Sequence, residues 1–291
     1  MKIFLTGACG YKGSVLVPKL LKAGHQVVAF DIIWFGNFLE PHPDLTVLKG
    51  DVRKPDEIHL TGIDAIIHLS SVANDPCGDL DPKLISCLAT MQLAGRARRQ
   101  GVKRFIYASS GSVYGIKDEE QVTEDLELLP ISEYNKTKMC GERIVLSYQD
   151  DMVVQIVRPA TVCGFSPRQR LDVSVNMLTM QAPMSGRITV FGGNQTRPNI
   201  HIDDITDLYL FLLDHPEHTG IYNAGFENIS ILDIANMVAK HVKADIIVTP
   251  SNDPRSYRIN SDRLLATGFR PKKTLRTPSK KSSACTRVGT I

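Results

Sequence analysis

The 291 residues of this chain are enough for one large domain or two closely packed ones, and a hydrophobic content of 43% is that of a globular protein. The net charge is +3, but six basic side chains lie between Lys272 and Arg287 with no acidic residue among them, so the remainder carries −3. The charge therefore does not indicate a nucleic-acid-binding surface. No apolar run approaches the roughly 18 to 20 residues of a membrane span, and the first one gives way to Thr6-Gly7 too early for a signal peptide.

The cysteines are scattered along the chain without any Cys-x-x-Cys spacing. They are Cys9, Cys77, Cys87, Cys140, Cys163 and Cys285. Reduced thiols in a cytoplasmic protein are the simplest explanation of this pattern.

The first predicted elements are a strand over residues 2–6 and a helix that begins near Ser14, with three glycines between them. Gly7 permits a tight turn, Gly10 lets main chain approach a pyrophosphate, and Gly13 allows the helix to pack closely on the strand. The amino terminus of the helix then offers unpaired N–H groups to phosphates. This turn predicts a dinucleotide site if a carboxylate follows at the expected distance.

Asp31 supplies that carboxylate at the end of the next predicted strand, residues 26–30. A separation of about 20 residues from the glycine turn is typical of the acid that binds a ribose 2′-hydroxyl. Ile32 and Ile33 follow, without an Arg or Lys to receive a 2′-phosphate, so the sequence favours NAD over NADP.

A third predicted strand, residues 45–49, ends at Gly50-Asp51-Val52. Asp51 is interpreted either as a cap of the helix that begins at Pro55 or as a partner of the adenine amino group. The next strand runs from Asp64 through His68 into Leu69, Ser70 and Ser71, and small residues at a strand's carboxyl end suit a backbone that passes close to a cofactor. His68 is interpreted as a packed, hydrogen-bonded residue.

Helices and strands continue to alternate, which predicts an α/β fold with a doubly wound parallel (Rossmann) sheet. The predicted elements are a helix over 82–100, a strand over 104–108, a helix from an N-cap at Ser132 and a strand over 151–158. Tyr134 and Lys138 share one face of the helix because they are four residues apart.

Beyond about residue 165 the pattern changes to short strands and helices, which predicts a smaller mixed α/β region that closes over the carboxyl edge of the sheet. We expect an NAD-binding domain over 1–165 and a substrate-binding region over 166–275, of which 200–225 returns to the first domain. Residues 276–291 are rich in Ser, Thr and Lys without apolar periodicity and are expected to form a disordered tail.

Several motifs together resemble the extended short-chain dehydrogenase/reductase family, in its nucleotide-sugar epimerase/dehydratase branch. They are Thr6-Gly-Ala-Cys-Gly-Tyr-Lys-Gly13, Gly50-Asp51-Val52, Ser109-Ser-Gly-Ser-Val-Tyr-Gly115, Tyr134-Asn-Lys-Thr-Lys138, Arg158-Pro159, Arg197-Pro-Asn-Ile-His-Ile-Asp-Asp204 and Tyr222-Asn-Ala-Gly225. The resemblance implies that Tyr134 is the acid/base, that Lys138 lowers its pKa and binds the nicotinamide ribose, and that Ser110 shares the proton relay. Ser109 and Ser112 are rival hydroxyls.

The resemblance also implies the residues that contact each ligand. The expected NAD contacts are Gly7, Gly10, Tyr11, Lys12, Gly13, Asp31, Asp51, Val52, Leu69, Ser70, Ser71, Tyr134, Lys138 and Pro159. The expected substrate contacts are Ser110, Ser112, Tyr134, Arg197 and Arg255. Arginine suits a diphosphate because its guanidinium grips phosphate bidentately.

The predicted function is NAD-dependent epimerisation of a nucleotide-diphosphate sugar through a transient keto-sugar. In dehydratases of this branch an Asp-Glu pair follows the catalytic Ser or Thr, whereas Gly111-Ser112 stand there in this chain. A sugar dehydrogenase or ketoreductase and a non-catalytic NAD-binding protein remain alternatives. No metal is expected in the reaction. Asp203 and His201 are interpreted more simply as a helix cap and a packed residue than as metal ligands. The resemblance also implies a homodimer.

Overall fold

The computed structural model describes residues 1–71, 87–251 and 256–275. Its strands are β1 (Lys2–Thr6), β2 (Gln26–Asp31), β3 (Leu45–Lys49), β4 (Ala65–His68), β5 (Arg104–Ala108), β6 (Val153–Pro159), β7 (Thr161–Cys163), β8 (Arg187–Phe191), β9 (Thr196–His201), β10 (Gly220–Ala224), β11 (Glu227–Ser230) and β12 (Asp245–Thr249). Its α-helices are α1 (Gly13–Lys22), α2 (Ala89–Arg99), α3 (Glu133–Leu146), α4 (Ser174–Ser185), α5 (Ile202–Asp214), α6 (Ile231–Ala239) and α7 (Asp262–Ala266).

Seven parallel strands form the central sheet in the order β10-β6-β5-β4-β1-β2-β3. The direction of winding reverses between β1 and β4, and ligands of doubly wound sheets bind in the crevice outside the carboxyl ends of the strands at such a reversal. A three-stranded sheet, β11-β9-β7, and a two-stranded sheet, β12-β8, accompany it. The predicted fold class is confirmed.

Both faces of the central sheet are buried, as a parallel sheet requires. In β1, Ile3 and Leu5 pack into one hydrophobic cluster with residues of α1 and α5. Phe4, which points to the other face, packs with residues of α2 and with Val145 of α3. A third cluster, centred on Leu178 and Ile188, joins α4, α6 and β8. No helix within the described ranges is long and apolar enough to cross a membrane.

Most predicted elements agree with the structure to within a few residues, and the differences are concentrated in short strands. β7, β10 and β11 were not predicted as strands. β10 contains Gly220 and Asn223, residue types that are depleted in strands. Asn223 is tolerated there because its buried side chain accepts a hydrogen bond from Tyr114 Oη at 2.8 Å and donates to two backbone carbonyls. The predicted helix segment 82–86 and the tail 276–291 lie outside the described residues.

Helix α3 is fixed at both ends of its buried face. Ser132 is its N-cap, as predicted, and accepts a hydrogen bond from Asn135 N at 3.3 Å. Further along, the Glu142 carboxylate receives two hydrogen bonds from Arg158 of β6, Nε to Oε1 at 2.9 Å and Nη2 to Oε2 at 2.7 Å. Both side chains are 3% exposed. The pair therefore ties α3 to the centre of the sheet.

We predict that Arg158→Met lowers the free energy of unfolding by about 3–5 kcal/mol, because it leaves the Glu142 carboxylate buried without its partner. The double variant Arg158→Met/Glu142→Leu recovers a large part of that loss, since it removes the orphaned charge as well. Urea unfolding followed by circular dichroism at pH 7 measures both values. A single variant within about 1 kcal/mol of the wild type contradicts this account of the pair.

Candidate active site at the carboxyl edge of the sheet

A cavity of about 760 Å³ lies where the carboxyl ends of β1 and β4 meet the region after residue 165. Its volume is in the range of about 300 to 1,000 Å³ that is usual for ligand sites. All of the predicted cofactor residues line it, as do the predicted substrate residues within the described part of the chain. They are Gly7, Gly10, Tyr11, Lys12, Gly13, Asp31, Asp51, Val52, Leu69, Ser70, Ser71, Ser110, Ser112, Tyr134, Lys138, Pro159 and Arg197. Arg255 lies outside the described residues.

The glycine turn is packed too closely for side chains at two of its positions. Gly7 has a φ of +70°, and a Cβ on it would lie 2.8 Å from Ser70 N at the end of β4. A Cβ on Gly13 would lie 2.4 Å from the carbonyl oxygens of both Gly7 and Ala8. A Cβ on Gly10 would meet only Gly7 O, at 3.2 Å. The turn thus sits directly on the neighbouring strand end, and its exposed side faces the cavity.

Asp31 is held beside this turn by main-chain donors. Its Oδ2 accepts from Cys9 N at 3.0 Å and its Oδ1 from Ile33 N at 2.7 Å. Each carboxylate oxygen retains a lone pair, because an ionised carboxylate has about four acceptor sites. The carboxylate can therefore accept hydrogen bonds from the hydroxyls of a ribose while it stabilises the loop.

Tyr134 and Lys138 project from α3 into the same cavity. Lys138 is buried, and its Nζ donates to Ala108 O at 2.7 Å and lies 5.9 Å from the centroid of the Tyr134 ring. Burial, and then repulsion by Lys12, lower the pKa of Lys138 to about 7. The ammonium is thus near the phenol, and its proton affinity depends on what else occupies the cavity.

The serines after β5 divide into two groups. Ser109 donates to the buried Glu142 carboxylate and so takes part in the network beneath the site. Ser110 Oγ and Ser112 Oγ are 2.7 Å apart, and Ser112 donates to Asn135 Oδ1 at 2.5 Å. The hydroxyls of Ser110 and Ser112 line the cavity and form a short chain that can relay a proton.

Two arginines in the loop after β7 were missed by the sequence analysis. Arg168 lies over the Phe35 ring, 3.9 Å from its centroid, and Arg170 forms an ion pair with Asp172 at 2.6 Å. Both arginines line the cavity, and Arg170 contributes, after burial, to lowering the pKa of Lys12 to about 8. The only available signal was their Arg-x-Arg spacing at the start of the region that was expected to bind the substrate.

Three predictions about individual side chains have different outcomes. Asp51 caps no helix, because its carboxylate binds Arg53 instead, with Nη2 to Oδ2 at 2.5 Å, and this hydrogen bond lowers the pKa of Asp51. His68 is packed as predicted between Thr6 and Thr90, and burial lowers its pKa to about 3. The cap of α5 is His201, which accepts from Asp203 N at 3.1 Å, so the prediction of a cap at Asp203 was wrong.

The residues around the turn fit NAD. At Gly7 the turn has a positive φ and a close approach to the end of β4 that only glycine allows. Asp31 supplies hydrogen-bond acceptors for a ribose, and Lys12 supplies positive charge for a pyrophosphate. The residues that would hold the nicotinamide end are Tyr134, Lys138 and the backbone beside Pro159.

Sequence comparison agrees with this geometry. The family model described as NAD dependent epimerase/dehydratase family matches residues 3–225. A UDP-glucose 4-epimerase of Mycolicibacterium smegmatis is 32% identical over 228 residues, which cover 72% of each chain. A Bacillus subtilis protein named as an uncharacterized UDP-glucose epimerase is 29% identical over 262 residues, which cover 82% of this chain and 81% of that protein.

Structural comparison gives the same result. The crystal structure of UDP-glucuronic acid 4-epimerase from Bacillus cereus, in complex with UDP-glucuronic acid and NAD, is 28% identical and superposes with a TM-score of 0.83. The match covers 95% of this chain and 96% of that one. The family model spans the glycine turn, Asp31, Tyr134 and Lys138, which is most of the cavity described above. This chain belongs to the NAD dependent epimerase/dehydratase family.

Proposed function

We propose that this protein is an NAD-dependent epimerase of a nucleotide-diphosphate sugar. The observation that carries the proposal is that the Tyr134–Lys138 pair and the glycine turn line one cavity of about 760 Å³. Relatives named as UDP-sugar 4-epimerases support the same reaction class and make UDP-sugars the first substrates to examine.

In the proposed reaction Tyr134 removes a proton from a sugar hydroxyl and later returns it. A phenol with a pKa near 10 must become about three units more acidic to act as a base at neutral pH, which corresponds to about 4 kcal/mol. A positive charge about 4 Å away contributes on that order at an effective dielectric constant of about 20. Lys138, whose Nζ lies 5.9 Å from the centroid of the Tyr134 ring, supplies a positive charge when it is protonated, and Ser110 with Ser112 can pass the proton onward. When bound, NAD would accept a hydride from the sugar and later return it.

Epimerisation is favoured over dehydration by the residues after Ser110. A carboxylate at position 111 would have to displace a packed side chain, because a Cβ on Gly111 would already lie 2.5 Å from Ile259 Cδ1. Ser112 offers a hydroxyl in place of a second carboxylate. The site therefore lacks the acid pair for eliminating water at these two positions.

We further propose that Arg197 binds the diphosphate of the substrate, since it lines the cavity, and that Arg168 and Arg170, which line the same cavity, add positive charge for the phosphates of the bound ligands. Arg255, outside the described residues, remains a proposal from resemblance. A cytoplasmic location is supported by the four described cysteines, which form no disulfide. A homodimer is proposed from resemblance, and two exposed apolar side chains at the start of α2 are compatible with it, Leu88 at 45% and Met91 at 46%.

Purified protein should retain NAD, detectable by native mass spectrometry, and should convert one member of a panel of UDP-, dTDP-, GDP- and CDP-sugars into its epimer. No NADH should accumulate at 340 nm, because the hydride returns to the same sugar. Stoichiometric NADH with an accumulating keto-sugar would identify a dehydrogenase instead.

Tyr134→Phe should lower kcat by about 10²- to 10⁴-fold and leave NAD binding within a factor of about three, because only the acid/base hydroxyl is removed. Tyr148→Phe, just beyond the end of α3 and outside the cavity lining, is the matched control and should keep wild-type activity. Epimer formation measured by NMR under saturating substrate compares the three proteins. Undiminished kcat in Tyr134→Phe would rule out this tyrosine as the base.

The stability of the NAD-free protein should depend on pH through Lys138. Its pKa is about 7 in the folded protein and 10.5 as an unperturbed amine, so between those values the unfolded chain binds more protons and stability rises with pH. Relative to Lys138→Met, the wild type should therefore gain about 3 kcal/mol in free energy of unfolding between pH 6 and pH 9. Urea unfolding at both pH values tests this, and an unchanged difference would mean that Lys138 stays protonated throughout.

A further inference from the structure

A turn at the opposite edge of the sheet brings three metal-binding side chains together. The turn joins the end of α5 to the start of β10 and carries His215, Glu217 and His218. His215 Nδ1 lies 2.8 Å from Glu217 Oε1, and His218 Nε2 lies 3.8 Å from the same oxygen. One ligand atom from each residue lies within 4.8 Å of the other two. Among the described residues this is the one such group of three or more His, Cys, Asp or Glu side chains.

The backbone of this turn is held from the protein interior. Gln155 of β6 is fully buried, and its Nε2 lies within hydrogen-bonding distance of three carbonyl oxygens, those of Leu212 at 3.0 Å, His215 at 3.0 Å and His218 at 2.9 Å. Arg104 Nη1 also donates to Leu213 O. The main chain that carries both histidines is therefore fixed before any ligand binds, which lowers the entropic cost of assembling a site.

The two imidazoles are oriented by aromatic packing. The Phe211 ring lies 4.3 Å from the His215 ring and 5.8 Å from the His218 ring, centroid to centroid. The His215 and His218 rings stack on each other with centroids 5.5 Å apart and an angle of 29° between their planes. Phe211 stands one turn before His215 on α5, so the helix itself places this support. Glu217 is the most exposed of the three ligands, at 59%, and its carboxylate can reach either ring.

We propose that His215, Glu217 and His218 bind one divalent transition-metal ion of the Zn²⁺ type. Imidazole nitrogens with a carboxylate oxygen are ligands that suit Zn²⁺ and its neighbours, whereas Mg²⁺ and Ca²⁺ require oxygen ligands. The ion takes the place of the proton in the His215–Glu217 hydrogen bond, and water completes its coordination. The carboxyl end of α5 adds a favourable partial negative charge for a cation.

The proposed ion has a structural role that is separate from the reaction. The turn precedes the first residue of β10, so it lies at the amino edge of the parallel sheet, whereas the cavity lies at the carboxyl edge. Within the described part of the chain, β10 is an edge strand of the central sheet and pairs with β6. An ion that joins the end of α5 to the entry of β10 binds the folded state and not the unfolded chain, and so stabilises the protein by mass action.

The test is isothermal titration of the full-length, tag-free protein with Zn²⁺ alone, in a non-chelating buffer with a thiol-free reductant. We expect one site in the wild type that is weakened at least 10-fold in His218→Ala and in Glu217→Gln and is absent in the double variant His215→Ala/His218→Ala. His241→Ala, which removes an exposed histidine beyond the end of α6, is the matched control and should bind as the wild type does. Mg²⁺ at the same concentrations should give no heat from this site.

Thermal unfolding supplies a second readout. At 100-fold excess of Zn²⁺ over the dissociation constant, the wild type and His241→Ala should melt about 5 °C higher than in EDTA, and the double variant should not respond. Epimerase activity should be the same with and without Zn²⁺. No zinc binding below 1 mM, or equal binding and equal thermal shifts in the wild type and the double variant, would overturn the proposal. Glu217→Gln keeps the test valid if the double variant folds poorly, because it alters only one exposed side chain.

Discussion

The buried carboxylate of Glu142 positions the active site, although it does not line the cavity. It lies one helical turn beyond Lys138 on α3 and accepts hydrogen bonds from Arg158 of β6 and from Ser109 at the end of β5. Helix α3, strand β6 and the end of β5 are thus joined through one carboxylate. Because a helix is rigid over one turn, fixing Glu142 also fixes the direction of Lys138 and Tyr134. The cost of burying this charge is offset only while its donors remain in place.

Burial, and then repulsion between neighbouring positive groups, lower the pKa values of two lysines that line the cavity. Lys12 and Arg170 approach each other closely enough that, after burial, Arg170 contributes to lowering the pKa of Lys12 to about 8. Lys12 in turn contributes to the lowered pKa of Lys138. Such a cluster is unfavourable when nothing neutralises it, and an anionic ligand relieves the repulsion. A cavity built to receive diphosphates therefore also restores the charge on Lys138 that the proposed base requires.

The central fold could be predicted because its signals are local. The glycine turn, the strand that ends at Asp31 and the helix that begins at Ser132 each follow from spacing within a few residues, and the structure has them where they were expected. Strand β10 and the two arginines after β7 could not be predicted in this way. β10 is held in the sheet by partners far away in sequence, such as Tyr114 for Asn223. The arginines face the cavity only because the chain folds back across it.

The same distinction applies to individual side chains. Asp51 follows a strand and lies four residues before Pro55, which is a local pattern that suggests a helix cap. The guanidinium of Arg53 binds its carboxylate instead. At the start of α5 the choice between His201 and Asp203 as cap depended on which backbone N–H each side chain reaches. A polar side chain near a helix start can form hydrogen bonds with several different groups about two residues away. Residue types alone do not determine which of these partners it binds.

Tyr11 makes the cofactor turn and the substrate region parts of one structure. Its hydroxyl donates to Gly164 O at 2.7 Å and accepts from Asn176 Nδ2 at 3.1 Å, and its carbonyl accepts from Ser166 Oγ at 2.8 Å. All three partners belong to the region around or beyond residue 165. Hydrogen bonds of a single residue therefore join the glycine turn directly to the walls of the substrate cavity. Walls that are held in place before the substrate binds lower the entropic cost of ordering them around it.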